Sequence, residues 1–530
     1  MNSENPPEKH WFDNAVMYQI YPLSFKDTNE DSYGDLKGII EKIDYIKNLG
    51  ADAVWLSPFY KSPMKDFGYD ISAYKKVGEV FGKFEDIEKL ISEIHKRDMK
   101  VIIDLVLNHT SEEHHWFEES RSSKNDPKRD FYMWQSGTEK NGEKKPPNNW
   151  LSYFGSSAWT YEEKTDQWYL HSYLPSQPDL NWKNPEVKKE MFKVIDFWLT
   201  HGIDGFRGDA IDNIYEDPEF SNEEDNPNYR VGLDDPYNSL IHSKTTSLPE
   251  TIKLVNEISE HIKKFGDIFF ITEAYLDIKG LANVYNNCPT SNHSPFNFNF
   301  ISMSWEAKVY KEFIDQYIEI SEGFPRNYVL GNHDRSRVIS RLGKRKALAL
   351  ALLSMALPGS NFVYYGEEIG MIDIDIKKGE EQDEWSKRVT VVDFGRDKER
   401  GIMQWDSSEF AGFSQVKPWI GMPKEQERIN VKNEKENPNS ILNFYKKIIA
   451  LKKEPVFAEG KYQPIPIFEN TTLVFKRVLG DKFSLVVINM SNEEVFWMPS
   501  ENGKVIISSY LDEPDPKSSL RPNEARVLMF

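Results

Sequence analysis

Along the chain, short apolar runs alternate with longer segments whose apolar residues recur every three to four positions, the pattern of strands alternating with amphipathic helices. VMYQIYPLSF (16–25), ADAVWLSP (51–58), KVIIDLVLNHT (100–110), IDGFRGDA (203–210), DIFFITEAY (267–275), the weaker PFNFNFIS (295–302), NYVLGNHD (327–334) and NFVYYGEE (361–368) predict strands. DLKGIIEKIDYIKNLG (35–50, closed by Gly50), FEDIEKLISEIHKRD (84–98), NPEVKKEMFKVIDFWLTHG (184–202), LPETIKLVNEISEHIKKFG (248–266), WEAKVYKEFIDQYIEIS (305–321) and ILNFYKKIIALKKE (441–454) predict helices, and KALALALLSMA (346–356) lies between the last two strands. About eight such units, over more residues than a doubly wound sheet takes, point to a closed (β/α)8 TIM barrel spanning 11–110 and 178–454. Residues 111–177, rich in Ser, Asn, Pro and Trp, read as a subdomain inserted after the third strand, and the polar stretch 370–440 as a long loop after the eighth. From 455 to 530 the period falls to two in TLVFKRVL, FSLVVINMS and ARVLMF, which predicts a small C-terminal antiparallel β-sandwich.

Composition narrows the partners. The chain has 530 residues, 39% of them apolar, enough for a large core. Its formal net charge of −19 argues against nucleic acid, which needs a basic face, and against anionic lipid. No window nears the ~20 apolar residues of a membrane helix, and the start, MNSENPPEKHWFDNAV, lacks the basic and apolar regions of a secretory signal. One cysteine, Cys288, forms no internal disulfide and has no thiol-nucleophile or metal-knuckle context. These features predict a cytoplasmic protein, monomeric or weakly self-associating.

In a barrel of this kind, functional groups sit where strands end, at the C-terminal face. Four predicted strand ends carry polar clusters: Asp104/Asn108/His109, Arg207/Asp209, Glu273 and Asn332/His333/Asp334. A single carboxylate in such a place is more often a loop cap, but surface charge has no reason to recur in register at four positions. Arg207 and Asp209, two apart on a strand, share a face. If that face is the interior, the arginine lowers the carboxylate's pKa and keeps it ionised, as suits a nucleophile; a structural ion pair is the alternative. Glu273 follows the apolar IFFIT, where desolvation raises its pKa and suits it to donate a proton, and a nearby Asp334 adds to that. Two carboxyls with opposed shifts are the apparatus of retaining glycoside cleavage.

These stretches carry a family resemblance. DLVLNHT (104–110), GFRGDA (205–210), ITEA (271–274) and GNHD (331–334), in this order, resemble the α-amylase family of glycoside hydrolases (glycoside hydrolase family 13) from about residue 11 to 530. QPDLN (177–181), with YQIYP, DFGYDIS, NNWLSYFGSSAW and YYGEEIGM, is similar to its oligo-1,6-glucosidase and α-glucosidase branch. The resemblance implies Asp209 as nucleophile, Glu273 as general acid/base and Asp334 as the carboxylate that stabilises a distorted, cation-like sugar. It also implies that His109 and His333 bond sugar hydroxyls, that Arg207 belongs to the substrate site, and that Asp70 pairs with Arg400 to close the pocket at the non-reducing end. A closed end makes the enzyme exo-acting. Phe154 is assigned a place near the acceptor sugar, while the acidic run 215–236 reads as a solvated lid loop.

The loop DTNEDSYGD presents oxygens from Asp27, Asn29, Asp31, the Tyr33 carbonyl and Asp35 at every second position, an arrangement that can wrap a hard cation. The branch has a Ca2+- or Mg2+-binding loop here, so a structural Ca2+ or Mg2+ is expected, with an ion-free loop rich in Asx turns as the alternative; no organic cofactor is. Three positions depart from the pattern. Gly208 replaces a larger apolar residue, which predicts looser strand–helix packing, and RGIMQWD (400–406) replaces RTPMQWD. Ala210 follows the nucleophile where valine goes with α-1,6 preference, so maltose, short malto-oligosaccharides or sucrose are the expected substrates. Three alternatives stand beside the α-glucosidase: an oligo-1,6-glucosidase; a transglucosidase or sugar isomerase of sucrose-isomerase or trehalose-synthase type; and, remotely, a non-catalytic relative like the amino-acid-transporter heavy chains.

Overall fold

The computed structural model describes residues 9–389, 395–497, 503–514 and 518–530. The first eight residues of the start in which no secretory signal was read lie outside these. Eight parallel strands form the central sheet: β1 (Val16–Ile20), β2 (Ala53–Leu56), β3 (Lys100–Val106), β4 (Gly205–Asp209), β5 (Phe269–Thr272), β6 (His293–Pro295), β7 (Asn327–Val329) and β8 (Ser360–Tyr364). Their order is β6-β5-β4-β3-β2-β1-β8-β7, the sequence of a (β/α)8 barrel. The seam between β6 and β7 has no backbone ladder, for Pro295 has no N–H to give. Asn327 bridges it instead: its Nδ2 donates to Ser294 Oγ at 2.9 Å and the Pro295 carbonyl at 2.7 Å, and its Oδ1 accepts from the Asn297 N–H at 2.9 Å.

Each strand is followed by a helix: α1 (Leu36–Leu49), α2 (Phe84–His95), α3 (Pro185–Thr200), α4 (Pro249–Ile262), α5 (Ile278–Asn287), α6 (Ala307–Ile320), α7 (Val338–Ala356) and α8 (Ile441–Lys453). Local signals start and stop them. Asp35 caps α1 by accepting from the Gly38 N–H, and Gly50 ends it at φ 103°, a left-handed turn that glycine takes without strain. Helix α7 kinks at Gly343, and beyond Ala347 every residue is buried, because that half packs against both the barrel and the C-terminal sheet. No helix among the described residues is long and apolar enough to cross a membrane.

The barrel interior is layered. Met17, Ala53, Trp55, Ile102, Phe269 and Ile271 fill its lower part. Two residues beyond Ile102 on β3 the inward position is Asp104, and level with it on β4 stands Arg207, with Asp209 two further on, so the strands' own period carries the change from oil to charge.

Two elements differ from expectation. The sixth strand is His293–Pro295, and Asn299–Ser302 is a helical turn. The alternating phenylalanines of 295–302 reflect packing, Phe296 and Phe298 facing the interior cluster and Phe300 the outer one. Helix α5 carries Gly280, Asn283, Asn286 and Asn287, so its sequence hid it; Asp277 caps it. Gly208 does not loosen the packing either: a Cβ there would stand 3.1 Å from the ring of Phe270, which occupies the space.

The insert holds a sheet of three short strands, Trp134–Gln135, Trp159–Glu162 and Gln167–Leu170, and a separate hairpin of Thr138–Lys140 and Glu143–Lys145, and is tied to the end of β3 by an isolated bridge between His109 and Asp179. The C-terminal region is one antiparallel sheet, β9 (Lys461–Pro464), β10 (Thr472–Leu479), β11 (Lys482–Asn489), β12 (Lys504–Ser508) and β13 (Ala525–Met529), in the order β9-β10-β11-β13-β12. One face packs on the barrel helices. The other covers a separate small core that Val495 and Leu520 close through a single bridge.

Candidate active site

The singled-out side chains stand at the C-terminal ends of β3, β4, β5 and β7, on one rim of the barrel. Parallel pairing sets Arg207 level with Asp104 on one side and Ile271 on the other. Arg207 is the hub. Its Nη1 donates to Asp104 Oδ1 at 2.5 Å and also to Asp209 Oδ1, while Nη2 lies 2.6 Å from Glu273 Oε2. Trp55 Nε1 donates to the second Asp104 oxygen at 2.7 Å, so Asp104 is engaged on both sides and anchors the arginine. The backbone turns out of β4 at Ala210, which is left-handed at φ 50°, a conformation a residue with a Cβ seldom takes. That turn aims the Ala210 N–H at Glu273 Oε2, 3.3 Å away.

Asp209 is pushed up to about 7, by burial above all, with Arg207 opposing and Asp104 and Asp334 adding to the rise. Glu273 is likewise pushed up to about 7 by burial, with Arg207 opposing and Asp209 and Asp334 adding to the rise. This corrects the expectation that Arg207 keeps Asp209 ionised: one guanidinium shared among three carboxylates in a dry site cannot hold them all charged. The two carboxyls titrate as one system. Near neutrality that pair retains about one proton, leaving one group able to attack and the other able to donate.

Asp334 behaves in the opposite way. Burial pushes it up, but charged neighbours hold it well below the usual carboxylate range. Arg400 Nη2 donates to its Oδ1 at 2.9 Å, and Arg396 Nη1 is 3.5 Å away. His333 also contributes, yet burial pulls that imidazole down to about 3, so near neutral pH the arginines supply the charge. Gln19 holds His333 Nδ1 at 2.9 Å and the Tyr69 hydroxyl holds Nε2 at 2.7 Å, with the Tyr69 ring stacked alongside. His109 is likewise buried and pulled down to about 3, its Nε2 3.1 Å from Gln177 Nε2. Two neutral imidazoles and an ionised carboxylate can bond hydroxyl groups without adding positive charge.

These groups line a cavity of about 280 Å3 containing Asp209, Glu273, Asp334, His109, His333 and Tyr69. That lies at the low end of small-molecule sites, roughly 300–1,000 Å3, and suits one or two rings rather than a polymer. Phe154 lines it too, 5.3 Å from Trp385.

Three residues expected to touch substrate stand behind the cavity. Arg207 anchors the carboxylates, and Arg400 donates to Asp334 and, through Nε, to the His333 carbonyl at 2.9 Å. Asp70 does not meet Arg400. It accepts from Ser62 Oγ at 2.8 Å and from the Lys65 and Asp66 N–H groups at 2.9 and 3.1 Å, which fastens its own loop. The pair at the cavity wall is Asp66 with Arg396, at 2.7 Å, with Asp383 2.8 Å from the same nitrogen. Sequence reasoning had the right segments and the wrong turn: Asp66 and Asp70, like Arg396 and Arg400, are four apart in single loops, and only the folded loop tells which faces in. Tyr69 was missed for want of any signal beyond its place in DFGYD.

The 27–35 loop lies apart from this site. Its donors, all hard oxygens, are right in kind for Ca2+ or Mg2+. Its carboxylates are not gathered, however: among the described residues no three histidine, cysteine, aspartate or glutamate side chains are placed to hold an ion. Asp27 Oδ1 accepts from the Asn29 and Glu30 N–H groups at 3.0 and 2.8 Å, and its Oδ2 from Ser32 N–H at 3.1 Å and Ser414 Oγ at 2.6 Å. Asn29 Nδ2 donates to Asp31 at 2.9 Å, Asp31 accepts the Tyr33 N–H at 2.9 Å, and Asp35 is spent on Thr28 and the α1 cap. As folded, the loop is closed by its own hydrogen bonds.

Comparison with known proteins agrees with the geometry. The pattern of the α-amylase catalytic domain matches residues 19–460. An oligo-1,6-glucosidase of Parageobacillus thermoglucosidasius is 37% identical over 98% of this chain and 99% of its own length. An α-glucosidase of Apis mellifera is 38% identical over 91% and 86%. Among solved structures, an α-glucosyl transfer enzyme superposes with a TM-score of 0.89 at 31% identity, covering 98% of this chain and 100% of that one.

Proposed function

Since the chain belongs to the α-amylase family of glycoside hydrolases, we propose that it is a retaining, exo-acting α-glucosidase taking terminal glucose from maltose, short malto-oligosaccharides or sucrose. The observation that carries this reading is the single guanidinium of Arg207 joining Asp209 and Glu273. Two carboxyls on one guanidinium suit direct attack better than a layout with room for a water between them.

In the first step an Asp209 oxygen attacks the anomeric carbon while Glu273 gives its proton to the glycosidic oxygen. The C–O bond breaks, the second sugar leaves as an alcohol, and glucose stays as an ester of Asp209. In the second, Glu273, now a carboxylate, takes a proton from water as that water attacks the same carbon, freeing Asp209 and returning the original anomeric configuration. Asp334 and the neutral His109 and His333 bond the ring hydroxyls and favour the cation-like transition state. For Glu273 to act, its oxygen must leave Arg207 as substrate enters.

The Asp66–Arg396–Asp383 ion pairs support an exo mode, because a charged wall at one end leaves a chain no way through. Ala210 supports α-1,4 over α-1,6 by the branch's pattern. NMR of sucrose turnover, in which the transferred unit is the only glucose released, should show α-glucose first, and isomaltose should be cleaved at least about tenfold more slowly than maltose, a difference of some 1.4 kcal/mol; β-glucose as first product from sucrose would refute retention. A transfer reading is favoured by the likeness to the α-glucosyl transfer enzyme: the same ester passes to a sugar hydroxyl in place of water, and oligosaccharides longer than the substrate would then accumulate. A structural Ca2+ or Mg2+ in the 27–35 loop and a cytoplasmic location belong to the same proposal; the cation rests on donor chemistry alone, since Asn29 and Asp31 would have to release one another to take it.

A further inference from the structure

Behind the closed end of the active cavity lies a second, larger one of about 720 Å3. The two share a wall made by segments 64–67 and 382–385. Asp66 and Trp385 face the active cavity, whereas Lys65, Phe67, Gln382 and Glu384 face the other, so alternate residues of the same segments serve opposite sides. The ion pairs of Arg396 with Asp66 and Asp383 knit the two segments together.

One side of this outer groove is aromatic. Trp419 has Tyr33 stacked near it, ring centres 6.1 Å apart and 22° from parallel, and Phe67 at 5.4 Å. Trp419 is fixed by its Nε1, which donates to Ser24 Oγ at 3.2 Å, and by its N–H, which donates to the Ser32 carbonyl at 3.1 Å. Tyr33 is 37% exposed, unusual for a ring of its size in this chain. The lining also holds charged groups: Lys65 pairs with Glu112 at 2.5 Å and Lys387 with Glu384 at 2.9 Å, with Arg388 among them. Flat rings together with charged donors and acceptors in one groove match the two aspects of a pyranose, an apolar C–H face and an equator of hydroxyls. A cavity more than twice the active one has room for several such rings.

We propose that this groove is a second saccharide-binding site, one that takes a short α-linked gluco-oligosaccharide by stacking on Trp419 and Tyr33 and does no chemistry. The proposal rests on the glucosidase reading for its choice of sugar. It also gives the 27–35 loop a task, since that loop carries Tyr33 and hands Trp419 its backbone partner.

Calorimetric titration of the full-length Asp209→Asn variant with maltotetraose tests it. Two binding events are expected. Trp419→Ala in that background should weaken one about tenfold, the loss of some 1.4 kcal/mol, and leave the other within twofold. Should Trp419→Ala fail to fold, as melting will show, Lys387→Ala on the exposed rim should weaken the same event by at least about twofold. A single event lost on His333→Ala would leave the glucosidase reading intact and overturn the groove, as would a second event indifferent to both substitutions. Absence of any event that responds to His333→Ala would count against the glucosidase reading itself.

Discussion

Two regions of this molecule are rich in aspartate and have little else in common. In the 27–35 loop, Asp27, Asp31 and Asp35 are neighbours in sequence, and nearly every oxygen accepts an N–H or hydroxyl from within a few residues. At the barrel mouth, Asp104, Asp209, Glu273 and Asp334 come from four strands and share Arg207, Arg396 and Arg400 unevenly. Asp334 takes contacts from two arginines and goes down, whereas Asp209 and Glu273 divide one and go up. The contrast shows that crowding of acids does not make them reactive. A carboxylate surrounded by local donors is quiet; one that tertiary structure buries with too few donors is held ready to exchange a proton.

Asp209→Asn should break that contrast most sharply. Without a nucleophile, kcat/KM should fall by at least about 10⁴-fold. Stability should move the other way. A carboxyl whose folded pKa is raised from 3.8 to about 7 stabilises the fold fully below its unfolded value and loses that contribution as pH climbs through 7. Removing the charge should therefore raise the melting temperature at pH 8 and do little at pH 4. Equal destabilisation at both would show that the mouth stores no such charge stress.

Next in size is the pH profile. With both carboxyls near 7, kcat/KM should pass through a maximum in the neutral range and decline on either side. Asp104→Asn removes one of the charges that raise Asp209 and frees Arg207 for it. Its acidic limb should move to lower pH by about one unit, some tenfold in rate at a fixed acid pH. An unmoved limb would place the controlling group elsewhere.

The quiet region should respond only in stability. Asp35→Ala removes the α1 cap and the bonds to Thr28, and urea unfolding should register a loss of about 1–2 kcal/mol. Smallest of all, saturating Ca2+ should raise the melting temperature slightly by binding the native loop, and Asp31→Asn should abolish that rise. A wild-type melt indifferent to Ca2+ and to chelator would leave the loop as the self-bonded turn it resembles.

Much of this was legible in the amino acids. The alternation of short apolar runs with segments of period 3.6 gave away the barrel, and polar clusters at four strand ends gave away its working rim, because side-chain direction follows directly from backbone period. Helix α5 was hidden by its asparagines, and β6 was misplaced because burial by packing imitates burial by pairing. Asp66 and Arg396 were passed over for Asp70 and Arg400, since residues four apart in a loop have no period to distinguish them.

What the sequence determined by itself is therefore whatever depends on neighbours along the chain: the elements, their caps, the inward face of β4, and the kind of chemistry its residues can perform. Tertiary structure alone decided how many carboxylates compete for Arg207, which arginine meets which acid, and where the cavity closes. Those are matters of distance and dielectric between residues remote in sequence, and charge interactions take their strength from both.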